Sequence, residues 1–313
     1  MKYIPTKPNT LGLVQLTDID LHEIVPFIDW VFFFMAWRMS GIYEGIENVH
    51  DCLSCKMSWL KQFPEADRAK AEEALKLYKD AQEMLRQMLD EKIVSVNASF
   101  GIFHGYAEED DIYIQNNNNT IRLPMLRQQQ PATDGFCYSL ADFVAPENDY
   151  VGAFATTIQG VEAFAETFEK DDDVYHSILA KTLSDRLAEA AAEWLHYKVR
   201  REYWGYAPDE TLSIKEMLKT QYSGIRPAVG YPSLPDQSII FTLDPLLKFN
   251  DIGIELTENG AMFPNASVCG LYFAHPKSKY FMIGKIDENQ FVDYARRSGK
   301  SPAELRKWMA ANL

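Results

Sequence analysis

The sequence predicts a fold that mixes α-helices with antiparallel β-strands. Two long stretches, residues 64–91 and 177–204, repeat their apolar residues at helical spacing. Between them, residues 111–126 carry isoleucine and leucine on both sides of four consecutive asparagines. Because asparagine tolerates the left-handed conformations of tight turns, this segment predicts a β-hairpin.

The remaining elements are assigned in chain order. Helices are predicted within residues 20–40 and 48–60, near Gly160, and over residues 287–298, and Ser301 to Glu304 form a capping box with Pro302 at the first helical position. Strands are predicted over residues 93–103, 136–145, 150–157, 267–273 and 279–286, the last two joined by a four-residue turn at 275–278.

Composition restricts the classes of partner. The 313 residues, 47% of them hydrophobic, can bury a large core in one large domain or two ordinary ones. Lys and Arg total 31 against 45 Asp and Glu, a net charge of −14, which argues against non-specific binding to nucleic acid or anionic membranes. Small molecules and proteins are therefore the expected partners.

Nothing in the sequence predicts export or a membrane span. Residues 1–12 are polar and lack the apolar stretch of a signal peptide. The apolar run at residues 30–37 is far shorter than the ~20 residues that a spanning helix needs, so it is assigned to the core. We expect a cytoplasmic protein.

Two features of the sequence could suggest a metal site: the cysteines and one helix. Cys52 and Cys55 form a CxxC, which suits a redox pair or half of a zinc site, but no second pair follows at zinc-finger spacing. Two buried or half-buried thiols one helical turn apart are the favoured interpretation. On the helix at 177–204, Asp185, Glu189 and His196 share a face without the HExxH spacing, so no metal is expected there.

Three positions stand out as candidate ligand-binding groups. Asp29 lies among aromatic residues, where a carboxylate is costly to bury without a partner; it could cap a helix, join a salt bridge, or receive an amine or hydroxyl. Glu189 suits a cationic or hydroxylated ligand, although an ion pair with an arginine on the helix is the alternative. Arg226 begins the segment Arg-Pro-Ala-Val-Gly-Tyr-Pro.

The segment at residues 226–232 combines rigidity with recognition groups. Its two prolines fix φ, and Gly230 permits a backbone geometry that a Cβ would forbid. Arg226 could then grip a carboxylate with its planar fork while Tyr231 offers a flat face to a ring. The alternative is an ordinary proline-rich surface turn.

Several blocks together resemble the activation, or reactivation, domain of cobalamin-dependent methionine synthase. The order and spacing hold from about residue 20 to the C-terminus. The blocks are Phe-Ile-Asp-Trp at 27–30 with the Phe-Phe-Met that follows, Leu-Arg-Gln-Gln at 126–129, Leu-Ala-Asp-Phe-Val-Ala-Pro at 140–146, Asp-Arg-Leu-Ala-Glu at 185–189, Tyr-Trp-Gly-Tyr-Ala-Pro at 203–208, Gly-Ile-Arg-Pro-Ala-Val-Gly-Tyr-Pro at 224–232, and His-Pro at 275–276 with Ser-Lys-Tyr at 278–280.

The resemblance implies a fold and a ligand. It implies a single curved α+β domain over residues 1–313, with residues 1–19 as an N-terminal extension and a central antiparallel sheet flanked by helices. The implied ligand is S-adenosylmethionine, bound on the concave face. Asp29, Arg226 and Tyr280 match ligand-binding positions of the family, and Glu189, Ala228, Gly230, Tyr231 and Phe281 line the same site by their place in the motifs.

The implied role is repair of a corrinoid cofactor. When cobalt is oxidised to cob(II)alamin, an electron from flavodoxin or a similar donor and a methyl group from S-adenosylmethionine restore the methylated cofactor. The sequence contains no Asp-x-His-x-x-Gly corrinoid motif, so we expect it to act on cobalamin carried by a separate methionine synthase or other corrinoid protein. It would be one component of a methyltransferase in methionine biosynthesis, inactive without that partner.

Two alternatives remain open at this stage. The same pocket would serve a regulatory module that senses S-adenosylmethionine without delivering its methyl group, and an unrelated redox protein would rest on Cys52 and Cys55 alone.

Two basic clusters could dock an acidic flavodoxin: Lys198 with Arg200 and Arg201, and Arg296 with Arg297 and Lys300. Scattered solvated charges are the alternative for these clusters.

Overall fold

A six-stranded antiparallel sheet forms the centre of the protein, in a computed structural model that describes residues 3–39 and 41–313. The order across the sheet is β4-β3-β2-β5-β8, and β1 pairs with β2 as well. The strands are β1 (Gly12–Ile19), β2 (Ser95–Glu108), β3 (Asp111–Asn116), β4 (Asn119–Pro124), β5 (Asp149–Gln159) and β8 (Ser267–Tyr272), while β6 (Glu255–Leu256) and β7 (Met262–Phe263) form a separate small ribbon.

The long strand β2 organises the sheet. Its first half pairs with β1, from Ile19↔Val96 to Gly12↔Ile102, and its second half pairs with β3. Its other edge pairs with β5 over eleven residues. Since β1 occupies residues 12–19, part of the expected N-terminal extension is a strand of the central sheet.

Helices cover the sheet and close the C-terminal end of the chain. Short 3-10 turns connect several of them, and a π-helical turn, Val199–Tyr203, follows the longest one directly. The α-helices are α1 (Leu21–Ile24), α2 (Trp30–Ala36), α3 (Leu53–Leu60), α4 (Arg68–Asp90), α5 (Val161–Lys170), α6 (Val174–Lys198), α7 (Ile214–Leu218), α8 (Ile240–Leu247), α9 (Glu288–Ser298) and α10 (Pro302–Leu305).

The core lies on both faces of the sheet. On one face Phe100 and Phe154 join a cluster with the apolar stripes of α4 and α6. On the other face Val151 and Leu271 join a cluster with α8. Because β5 is buried on both faces, its sequence lacks the polar alternation of a half-exposed strand.

Most predicted elements are present, and two strands are not. Both long helices and the asparagine hairpin are found close to their expected bounds. The strand predicted at 136–145 is wrong: Ser139 and Asp142 cap each other across the 3-10 helix Leu140–Phe143. The strand predicted at 279–286 is also wrong, because this stretch makes isolated hydrogen bonds and pairs with no strand of the described part of the chain.

The two cysteines of the CxxC are joined, contrary to the interpretation as buried thiols. Cys52 and Cys55 form a disulfide, and Cys52 is exposed at the start of α3. There its sulfur accepts the backbone N–H of Cys55 at 3.0 Å. The pair therefore lies at the surface, where a helix begins.

The predicted basic clusters are weaker than their sequence suggests. Arg200 is completely buried, and Arg297 is largely buried against Asp111, so neither can meet a partner protein. Lys198 pairs with Glu202, one helical turn away. Burial of two arginines and local ion pairs therefore reduce the positive charge that these clusters could offer to a docking partner.

Candidate functional site

A cavity of about 560 Å³ lies between α6, the start of α2, the segment at 226–232 and the segment at 280–282. Seven of the eight predicted site residues line it, and the eighth, Gly230, lines an adjoining cavity of about 300 Å³. Glu189, Ala228 and Tyr231 line both cavities. The seven are Asp29, Glu189, Arg226, Ala228, Tyr231, Tyr280 and Phe281.

The segment that carries Arg226 lies alongside strand β8. Ile225 and Phe273 exchange two backbone hydrogen bonds of 3.0 Å, and the Leu271 N–H donates to Pro227 O at 3.0 Å. Gly270 makes this approach possible, because a Cβ there would overlap the carbonyl oxygen of Pro227. The pairing fixes where Arg226 and Ala228 enter the cavity.

A tight turn then places Tyr231 at the cavity mouth. Gly230 has φ +85°, a conformation that favours glycine, and its N–H donates to Leu234 O at 2.8 Å. The Tyr231 side chain is half exposed, and its hydroxyl donates to Glu189 Oε1 at 2.5 Å. Burial and the Glu189 carboxylate together raise the pKa of the Tyr231 phenol, so it remains a donor.

Arg226 is held by a residue that the sequence reasoning missed. Its Nη2 and Nε donate to Glu193 Oε2 at 2.9 and 3.3 Å, while its Nη1 lies 4.0 Å from Glu189 Oε2. Burial opposes the charge of the guanidinium, but Glu193 and the neighbouring tyrosines outweigh it and raise the pKa of Arg226 above its usual value. One edge of the fork is thus occupied and the other edge faces the cavity.

Tyr280 contacts the backbone of Arg226. The backbone N–H of Arg226 donates to the Tyr280 hydroxyl at 3.0 Å. The irregular segment that carries Tyr280 is fastened by the Ile283 N–H, which donates to Pro232 O at 2.9 Å, and by Gln128 Nε2, which donates to Met282 O at 2.8 Å. Two loops distant in sequence are therefore held against each other at the cavity.

Asp29 reaches the cavity from the start of α2. Its Oδ1 accepts the Val31 N–H at 2.9 Å, so it is the N-cap of that helix. The same side chain lines the cavity beside Phe32, an exposed ring of α2. The expected helix cap and the expected cavity carboxylate are one residue.

Sequence and structure comparisons agree on the family. The profile described as "Vitamin B12 dependent methionine synthase, activation domain" matches residues 20–299. The chain belongs to this family. It is also similar to a solved structure titled "Crystal Structure of the MetH Reactivation Domain bound to AdoHcy", with 40% sequence identity and a TM-score of 0.86 over 99% of this chain and 93% of that one. The predicted family and α+β fold class are confirmed.

In this activation domain, a second layer of charged residues lies under the cavity. Arg200, completely buried, binds Glu210 through Nε and Nη2 at 2.8 and 2.7 Å. His196 is also completely buried and shares a 3.1 Å hydrogen bond with the Tyr206 hydroxyl. Of Asp185, Glu189 and His196, which the sequence groups on one helix face, only Glu189 lines the cavity. His196 lies in the layer beneath it, together with Arg200 of the π-helical turn.

Glu193 and Tyr222 are the main residues that sequence reasoning missed. Glu193 lies one turn after Glu189 on α6, and that i+4 spacing was the available signal. Tyr222 lies in an irregular segment with no periodic pattern, and both residues line the cavity. The place of Tyr222 in the cavity depends on a fold that brings its segment back against α6.

Among residues 3–39 and 41–313, no group of three His, Cys, Asp or Glu side chains is arranged to hold a metal ion. None of the helices described for these residues is long and apolar enough to cross a membrane.

Proposed function

We propose that this activation domain binds S-adenosylmethionine in the 560 Å³ cavity and supplies its methyl group for reductive reactivation of cob(II)alamin on a methionine synthase or another corrinoid protein. The arrangement of Arg226, Glu189 and Asp29 around one cavity is the observation that carries the proposal. The solved relative, whose title names AdoHcy as its ligand, supports the same ligand class. The cavity volume also falls within the ~300–1,000 Å³ typical of small-molecule sites.

The charges around the cavity suit the groups of S-adenosylmethionine. The free edge of the Arg226 fork would bind the carboxylate of the ligand, since a guanidinium pairs with a carboxylate through parallel hydrogen bonds. Asp29 and Glu189 would stabilise its ammonium and sulfonium charges. A cavity that offers one guanidinium and two carboxylates suits a zwitterionic amino acid that also carries a cationic sulfur.

The aromatic residues suit the adenosine part. Tyr231 and Tyr280 are both partly exposed at the mouth, where their faces could cover a purine ring. Ala228 and Gly230 would let the ligand approach the backbone closely, and Phe281 would close the wall where it packs near Tyr138 and Phe143. In this assignment the mouth residues select the base.

In the proposed reaction, the main task of the protein is to orient the ligand. S-adenosylmethionine supplies an activated methyl group for direct displacement by a reduced cobalt, so no general acid or base is required. One electron, from flavodoxin or a similar donor, would reduce the oxidised corrinoid before the transfer, and S-adenosylhomocysteine would be the product. The task of Arg226, Glu189 and Asp29 is to hold the ligand with its methyl group towards the open side.

The proposal is tested in two stages. Calorimetry should detect one S-adenosylmethionine or S-adenosylhomocysteine bound per chain. The protein is then mixed with a separately prepared corrinoid protein and a one-electron reductant, and the cobalamin absorption spectrum should return to the methylated form only when S-adenosylmethionine is present. Binding without spectral recovery would indicate a sensing module, and absence of binding would reject the proposed function.

A further inference from the structure

We propose that Glu193 and Arg200 are positioning residues that set the orientation of the Arg226 guanidinium towards the ligand carboxylate. The proposal rests on the proposed function for the ligand, but the contacts that carry it lie within this chain. Four side chains of alternating charge form a line from the cavity wall inward, and the last three are buried: Arg226, Glu193, Arg200 and Glu210.

The line begins at the cavity wall and ends in the interior. Glu193 accepts two N–H groups of Arg226 on Oε2, and its Oε1 lies 3.8 Å from Arg200 Nη1. Arg200 is anchored in turn by the two-point contact with Glu210. Since the side chains of Glu193, Arg200 and Glu210 are at most 6% exposed, water cannot replace these contacts.

The orientation of Arg226 follows from this line. Glu193 occupies Nε and Nη2, so Nη1 is the nitrogen left to face Glu189 and the cavity. Without Glu193 the guanidinium could rotate about its long side chain and spread over several orientations. A guanidinium held in one orientation loses less entropy when it binds a carboxylate.

Tyr222 connects Arg200 with Tyr280. Its ring lies over the Arg200 guanidinium at 4.2 Å, and its hydroxyl is 3.3 Å from the hydroxyl of Tyr280, which accepts the Arg226 backbone N–H. Side chain and backbone of Arg226 are thus held through separate contacts. Both sets of contacts lead back to Arg200, which does not itself line the cavity.

The decisive variant is Glu193→Gln, which keeps the shape of the side chain. Whichever way the amide turns, its NH₂ group faces a guanidinium, either that of Arg226 or that of Arg200, so one donor opposes another. We expect the Kd for S-adenosylhomocysteine to rise by ~10-fold or more, because the Arg226 guanidinium is no longer held for the ligand carboxylate. The Kd for 5′-methylthioadenosine, which lacks the carboxylate and the ammonium, should change by less than ~2-fold.

Controls separate positioning from loss of structure. Glu169→Gln removes an equal charge by breaking the exposed pair with Lys181 and should leave both Kd values unchanged. Glu193→Asp keeps the buried charge and withdraws the carboxylate by one methylene, so it should fold and still weaken only S-adenosylhomocysteine. Equal losses for both ligands, or no loss for either, would overturn the positioning role.

A ligand-free measurement makes the inference independent of the proposed function. In the parent protein and in Glu169→Gln, the NMR signal of the Arg226 Nε–H should be protected from exchange with water by its contact with Glu193. The protection should be lost in both Glu193 variants. An unprotected signal in the parent would refute the positioning of Arg226, whereas a protected signal in a protein that binds no S-adenosylhomocysteine would refute only the proposed function.

Discussion

Replacing Arg226 by alanine tests the centre of the proposed site. The change removes the guanidinium whose Nη1 faces the cavity, and it leaves Glu193 buried without its 2.9 Å partner. Loss of one member of a buried, hydrogen-bonded charge pair between protein and ligand costs ~2–5 kcal/mol of binding free energy. At ~1.4 kcal/mol per factor of ten, the Kd for S-adenosylmethionine should rise by roughly 30-fold to several thousand-fold.

The same variant should lower the free energy of unfolding. Breaking a buried pair costs ~3–5 kcal/mol, and the lower end is expected because Arg200 remains 3.8 Å from Glu193. Arg226→Lys is the matched control: it retains a positive charge for Glu193 and should recover most of the stability, but it lacks a second edge for the ligand. Calorimetry gives the binding change and urea unfolding gives the stability change. Parental affinity in Arg226→Ala would refute the carboxylate assignment.

Three further outcomes follow from the buried layer and the cavity wall. Burial, together with two nearby arginines, lowers the pKa of His196, so below pH ~6.5 the unfolded chain takes up a proton that the folded protein does not. The free energy of unfolding should therefore fall by up to about 1.4 kcal/mol per pH unit below that point. Urea unfolding from pH 7.5 to 5.5 should show a weaker dependence of this free energy on pH in His196→Asn than in the parent protein. Tyr280→Phe removes one hydrogen-bond acceptor and keeps the ring, so calorimetry should show a loss of about 1 kcal/mol in binding; a loss as large as that of the arginine variant would contradict this. Arg200→Glu places a third carboxylate beside Glu193 and Glu210 and should abolish cooperative unfolding on heating, whereas a parental melting curve would show that the buried layer does not stabilise the fold.

The parts of the fold that repeat locally could be predicted from the sequence. The periodicity around Leu75 and Leu187 identifies α4 and α6, and the asparagines identify the β3–β4 turn. The strands predicted at 136–145 and 279–286 rest on local apolar residues. Local residues do not reveal whether a partner strand is available, and neither stretch joins the central sheet.

The candidate site divides in the same way. Arg226, Tyr231 and the Gly-Tyr turn are contiguous, so the sequence could group them before the structure placed them on one wall. The contact between Arg226 and Glu193 joins residues 33 positions apart, and no local pattern encodes it. The sequence predicts Arg200 in a basic docking cluster with Lys198 and Arg201, whereas the structure buries it in the π-helical turn at 199–203.

Asp29 is both a helix cap and a cavity residue, and these two roles limit which substitutions the position can accept. One oxygen caps α2 at 2.9 Å, and the side chain also faces the cavity, so alanine would weaken the helix start by ~1 kcal/mol and remove a cavity charge together. Asparagine would keep the cap and lose only the charge. A ligand that pulled the carboxylate away from Val31 would loosen the helix that carries Phe32, another wall of the same cavity. Occupancy of the pocket and the integrity of α2 are thereby linked through a single side chain.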